Sequence, residues 1–194
     1  GHGVELAREA VQAGSKTLIS LGGDGTHHEV VNGLMAGAQG SDDVRMGVLH
    51  AGTGGDFRRV LNGGGDFETS LKRMANAGSF HIDLGSVSYL RDDGERESRF
   101  FLNLASAGLA GVVDRMVNAS GKRLGGTLTF LLATLRGVAT YEPARVRLSV
   151  DGTRLGDYLV TNVCIANAPW AGGGMMFAPN AKLADGLLEV IVFK

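Results

Sequence analysis

Three observations predict an α/β N-terminal domain followed by a β-rich C-terminal domain. Residues 16–21 form a short apolar run that ends in Gly22-Gly23-Asp24-Gly25 and leads into a helical pattern. Residues 46–50 repeat that arrangement, ending in Gly52-Thr53-Gly54-Gly55-Asp56 before a second helical pattern. Such alternation of strand and helix argues for a mostly parallel sheet. After about residue 80 the alternation gives way to a series of strand-like runs, which places a domain boundary near residues 80–83 and divides the chain into 1–80 and 81–194.

Each element has a local reason. Over residues 4–13, Val4, Leu6, Ala7, Ala10 and Val11 fall on one helical face, and Gly14 suits the position after a helix end. Thr26-His27-His28-Glu29 reads as a capping box with Thr26 as N-cap, opening a helix through about Met35. A short helix is expected at 57–61. Strands are expected at 81–89, 99–105, 144–150, 158–167 and 187–193, with Asp151-Gly152 as a hairpin turn. Between them, Leu128, Leu131, Leu132, Leu135 and Val138 recur at helical spacing, predicting a core-facing amphipathic helix over 124–140.

Composition narrows the function classes. Nineteen Lys and Arg against 20 Asp and Glu give a net charge of -1, which offers no basis for a nucleic-acid partner. With 44% hydrophobic and 20% charged residues and a mean hydropathy of +0.07, the chain is expected to bury a core. The 31 glycines belong in turns and loops of close approach. Cys164 is the only cysteine, so no internal disulfide forms, and a reducing interior is expected. The opening residues lack a signal-peptide pattern, and the longest apolar run, 127–139, is too short to span a bilayer. A cytoplasmic protein able to touch a membrane surface is the expectation.

The glycine turns carry the chemistry. Gly22, Gly23 and Gly25 allow close backbone approach, and the helix behind them aims unpaired N–H groups at an anion, most economically a phosphate. Asp24, expected in an exposed turn, would repel a bare phosphate and makes sense where a cation or an attacking hydroxyl stands nearby. Gly52, Thr53 and Gly54 repeat the arrangement, and Arg58 and Arg59 beyond them face an anion or Asp56, or stand solvated. His27 and His28 are adjacent and lack a partner at i+4, which argues against zinc. His50 reads as a structural histidine, and Trp170 as an apolar lip or a packing residue.

Taken together, Gly22-Gly23-Asp24-Gly25-Thr26 with Glu29-Val30-Val31-Asn32-Gly33, and Gly52-Thr53-Gly54-Gly55-Asp56-Phe57-Arg58-Arg59, resemble the two signature motifs of the diacylglycerol kinase catalytic-domain family, bacterial lipid kinases related to sphingosine kinases. His81-Ile82-Asp83-Leu84-Gly85, Phe101-Leu102-Asn103, the stretch from Asn167 through Gly172-Gly173-Gly174 to Ala181, and Asp185-Gly186-Leu187-Leu188 resemble later segments of that family in the same order.

The resemblance implies an α/β nucleotide-binding domain followed by a C-terminal β-sandwich, with ATP and a lipid as substrates, Mg²⁺ as cofactor, and work at the inner face of a membrane; a homodimer is allowed. It implies nucleotide contacts from Gly22, Gly23, Gly25, Thr26, Gly52, Thr53, Gly54 and Asp56, and catalytic roles for Asp24, Arg59 and Asp83. A Mg²⁺ would be held by Asp185 with the carbonyls of Lys182 and Leu187. Gly55 stands where the family usually has Asn, and Lys182 adds no carboxylate to the metal loop. Family members usually carry a first strand with an Asn-Pro-Gly-Ser-type loop, and a closing acidic Asp-Gly-Glu segment resembling the catalytic base. The chain is therefore expected to be the middle of a longer protein. Alternatives are an NAD kinase, which shares the Gly-Gly-Asp-Gly-Thr turn, and a nucleotide- or lipid-binding module without turnover.

Overall fold

Helix α1, His2–Gln12, ends in the turn its sequence anticipates: Gly14 adopts φ +96°, its N–H donates to the Val11 carbonyl at 2.9 Å, and the Ser15 N–H donates to Ala10 at 3.0 Å. This is a Schellman motif, in which glycine closes the helix without a Cβ clash. The computed structural model describes residues 1–38, 44–51, 55–61, 66–120 and 126–194. Strand β1, Thr17–Gly22, leads through the glycine turn into α2, Asp24–Ala38, and β2, Arg45–His50, pairs with β1 in parallel so that Gly22 stands opposite His50.

Helix α2 begins two residues before the capping box places it. Thr26 lies inside the first turn with its side chain against Gly22, where a Cβ would collide with it. Glu29, expected to close back on its own helix, instead accepts the Gly3 N–H at 2.9 Å and so caps α1. Asp24 takes the opening position, where a carboxylate meets the positive end of the helix dipole.

Helix α3 spans Asp56–Val60. Helix α4, Phe67–Asn76, is an addition to the sequence reading, capped by Asp66 Oδ1 accepting the Thr69 N–H at 2.8 Å. Strands β3, Gly85–Leu90, and β4, Arg96–Phe101, form an antiparallel hairpin. The expected strand at 81–89 starts only at Gly85 because the backbone of Asp83 is taken up elsewhere. Its N–H donates to Leu183 at 2.6 Å, and its carbonyl accepts the Asn167 side-chain amide at 2.8 Å. The expected strand at 99–105 splits into β4 and β5, Leu104–Gly108, for a related reason: the Leu102 carbonyl accepts Asn167 Nδ2, and the Asn103 carbonyl accepts the N–H groups of Asn167 and Ala168.

Helix α5, Leu109–Ser120, also escaped the sequence reading, whereas α6, Gly126–Thr140, and β6, Ala144–Val150, fall where expected. Asp151 and Gly152, at φ +49° and +75°, turn β6 into β7, Thr153–Val160, as a hairpin with both central residues left-handed. The expected strand at 158–167 breaks at Thr161, whose N–H donates to Phe193 and whose carbonyl accepts from Leu109, so that β8 is Asn162–Ala166. The short strands β9, Trp170–Ala171, and β10, Met175–Met176, flank three glycines, and β11, Glu189–Phe193, lies beside β8, which in turn neighbours β5.

One expectation about packing is reversed. Helix α6 buries Ala133 and Gly137, the latter against Val113 and Leu109 of α5, while Leu132, Leu135 and Val138 are exposed. Small residues face the neighbouring helix because they allow close backbone approach, and Leu132, Leu135 and Val138 turn outward; Leu128 and Leu131, expected on the same face, lie outside the residues whose side chains are described.

The chain divides into two compact units. One comprises Gly1–Leu104 with Ala166–Glu189, the other Ala105–Ile165 with Val190–Lys194. In the first, Val31, Phe57 and Leu102 form a buried cluster against which Met35, Met46, Val48, Leu61, Ile82, Leu84 and Leu183 pack. This core ties α2, β2 and α3 to the segment that follows α4.

Candidate functional site

Asp24 is half-buried rather than set in an exposed turn, and its carboxylate is fully engaged. Oδ2 accepts the N–H groups of Gly55 at 3.0 Å and Asp56 at 3.2 Å, and Oδ1 accepts that of Phe57 at 3.1 Å. The head of α2 thus grips the head of α3, the negative charge being matched by three amides that α3 cannot satisfy internally. Gly55 makes this approach possible with φ +106°, and a Cβ there would lie 2.9 Å from the His50 ring. Gly22 and Gly23 are half-buried beneath the turn, and Gly25 and Thr26 are exposed; a Cβ on Gly25 would meet nothing within 4 Å. Gly52, Thr53 and Gly54, expected to form the second turn, lie outside the described residues.

Asp56 repeats the device at greater depth. At 5% exposure its Oδ2 accepts the Gly173 N–H at 2.8 Å, and its Oδ1 lies 3.7 Å from Arg59 Nε. Arg59 rests on Gly174. Gly172, Gly173 and Gly174 all take positive φ, +64°, +86° and +108°, a run that only glycine makes without strain. The hairpin they form carries half-buried Trp170 and exposed Met175 and Met176.

Asp83 stands with a different partner set from Arg59. No hydrogen bond or ion pair joins the two; instead Asp83 Oδ2 accepts the Gly186 N–H at 2.7 Å, in the loop proposed for a metal. Within that loop Asp185 Oδ1 accepts the Leu187 N–H at 3.1 Å, and Lys182, Asp185 and Leu187 are exposed. Among the described residues no three His, Cys, Asp or Glu side chains gather as a metal cage. A site there would rest on one carboxylate and carbonyl oxygens, hard donors of the kind Mg²⁺ takes together with water.

The sequence reading names Asn32, Asn167 and His27 but not the contacts they make. Asn32 on α2 donates to the Phe100 carbonyl and accepts the Phe100 N–H, both at 2.9 Å, imitating a strand beside β4. Asn167, fully buried, holds the carbonyls of Asp83 and Leu102. His27 is also fully buried, its Nδ1 2.7 Å from Ser20 Oγ. Burial pushes its imidazole below the ordinary value of 6.5, with Asp24 pulling it up and His50 pushing it down. An apolar helical face on α2 gives no hint of these partners, which come from segments remote in sequence.

The first glycine turn and the head of α3, clasped by Asp24, lie within one compact unit. Residues 1–87 match the diacylglycerol kinase catalytic domain, and residues 103–194 match the YegS C-terminal NAD kinase beta sandwich-like domain. The fold is accordingly an N-terminal α/β domain followed by a β-sandwich-like one, and the chain belongs to the diacylglycerol kinase catalytic-domain family. It is 34% identical over its whole length to "Probable lipid kinase YegS-like" of Chromohalobacter salexigens, covering 59% of that protein, and 29% identical to "Probable lipid kinase YegS" of Escherichia coli, covering 61%. A crystal structure of a diacylglycerol kinase from Bacillus anthracis superposes with a TM-score of 0.67 at 25% identity, over 99% of this chain and 58% of that one. The chain thus spans about three fifths of the length of the relatives it matches. No helix among the described residues is long and apolar enough to cross a membrane.

Proposed function

We propose that the protein is a lipid kinase that transfers the γ-phosphoryl group of ATP to a hydroxyl of a diacylglycerol-like lipid, with residues 1–80 serving the nucleotide and 81–194 the lipid, at the inner face of a membrane. The observation that carries this reading is the clasp of Asp24 on the amides of Gly55, Asp56 and Phe57, which sets the first glycine turn beside the head of α3. The open front of Gly25 and the amides of the first turn of α2 suit nucleotide phosphates. Arg59, half-exposed and steadied by Asp56, would neutralise charge gathering on the transferred group.

Phosphoryl transfer of this kind depends on positioning and charge compensation more than on covalent help from the protein. Gly22, Gly23, Gly25 and Thr26 would bind, Arg59 would compensate charge, and Asp83 would orient the lipid hydroxyl. Mg²⁺ held by Asp185 and the carbonyls of Lys182 and Leu187 would supply fixed positive charge to the loop that Asp83 grips. The base that takes the hydroxyl proton would come from an acidic segment of the kind the family resemblance implies. A binding module without turnover is the second reading, favoured by the full engagement of Asp24 with backbone.

The test is mass spectrometry of a lipid extract incubated with ATP and the full-length protein over a Mg²⁺ series, with Asp185→Ala beside it. A phosphorylated lipid supports the kinase, and its mass identifies the acceptor. Phosphorylated NAD or no product at all would refute it. An Asp185→Ala protein with an unchanged Mg²⁺ response would remove the metal loop from the account.

A further inference from the structure

Two imidazoles lie beneath the glycine turns, and the proposed transfer uses neither. His27 is fully buried, and while its Nδ1 meets Ser20, its Nε2 is buried without a partner. His50, opposite Gly22 in the β1–β2 register, lies against Gly55, and its Nδ1 is likewise buried without a partner. Buried polar atoms left unpaired are uncommon and call for a reason. Both rings adjoin the clasp: His27 is one helical turn from Asp24, and His50 touches the residue whose N–H Asp24 holds.

We propose that His27 and His50 are positioning residues: together they brace the first glycine turn against Gly55, and a proton taken up by His27 draws Asp24 off the amides of Gly55, Asp56 and Phe57. The argument is one of competition for a single anion. A cationic His27 cannot reach water, and the charged groups acting on it are Asp24 and His50. Glu5, Arg8 and Glu9 of α1 are exposed, Glu29 is committed to Gly3, and Arg99 of β4 acts on His28 instead. Asp24 would then have to choose between a buried imidazolium and three backbone amides. His50 adds to the forces that oppose a charge on His27.

The direction of the pH dependence follows. Burial holds folded His27 below the ordinary imidazole value of 6.5, so below that pH the unfolded chain binds more protons than the folded one. Stability is complete above about pH 6.5 and weakens as the pH falls from there toward the lowered folded value, and the clasp itself loosens as folded His27 takes up its proton at that lower value. His28, lowered by partial burial and then by Arg99, follows the same sign, so a His27 variant is needed to separate the two.

This inference rests on the nucleotide reading of the turns for its functional meaning, though amide exchange tests the brace without any nucleotide. Exchange rates for Gly55, Asp56 and Phe57, corrected for intrinsic pH dependence, are compared at pH 7.5 and 5.5, with the β6–β7 amides as reference. The expected result is a loss of protection of tenfold or more at 55–57 alone, absent in His27→Leu. Titration with MgATP at the same two pH values is expected to show a parallel several-fold weakening in the wild type. Protection at 55–57 that is independent of pH, or that falls equally in His27→Leu, overturns the proposal. Should His27→Leu fail to fold, His27→Gln provides the same comparison. A pH-dependent clasp without MgATP binding at either pH would sustain the brace and refute the nucleotide reading instead.

Discussion

Carboxylates do different work in the two units of the molecule. In the unit built from Gly1–Leu104 and Ala166–Glu189, Asp24, Asp56 and Asp83 each accept backbone N–H groups from segments 31, 117 and 103 residues away. In the other unit, Asp157 pairs with two arginines, Arg147 at 3.1 Å and Arg154 at 3.2 Å, on the exposed face of the β6–β7 hairpin. An aspartate bound to amides fixes the path of the main chain, because those amides have no other partner. An aspartate bound to solvated arginines fixes little, since water competes for every charge involved. The unit with backbone clasps is also the one that holds the glycine turns.

The sharpest way to break this contrast is Asp24→Ala. It strands three amides at the head of α3, and a stability loss of about 3 kcal/mol is expected in a denaturant titration. Asp24→Asn keeps one acceptor oxygen and should lose less stability, yet phosphoryl transfer by the full-length enzyme should still disappear because the two turns no longer hold their spacing. Near-normal turnover in Asp24→Asn would detach the clasp from function.

Asp56→Ala is the next largest. The residue is deeply buried, but it supports a single amide and a half-exposed arginine, so a loss of about 2 kcal/mol is expected. Faster amide exchange at Gly173 should accompany it and would identify the broken contact.

The smallest effect is expected for Asp157→Ala in the other unit, within about 0.5 kcal/mol, and less still at high salt. A loss comparable to that of Asp56→Ala would erase the contrast between the units.

Much of this architecture is legible in sequence. The Gly14 helix end, the parallel β1–β2 pair, the Asp151-Gly152 hairpin and β6 are encoded by a few adjacent residues with strong local preferences. What went astray was decided by contacts across long separations. Residues 81–84 read as strand, but Asn167 and Leu183 claim the backbone of Asp83. Glu29 reads as the cap of its own helix, but the start of α1 lies within its reach. The outward face of α6 reads as core, since periodicity identifies an apolar stripe without saying what meets it.

The sequence alone therefore determined the elements with strong local signals and the family resemblance, both of which depend on side chains a few positions apart. Only the tertiary structure decided what the aspartates and buried histidines do. A carboxylate or an imidazole has no fixed role until the fold sets its neighbours: Asp24 acquires three amides from α3, and His27 a hydroxyl from β1. Those partners come from separate elements that meet only once the core around Val31, Phe57 and Leu102 has closed.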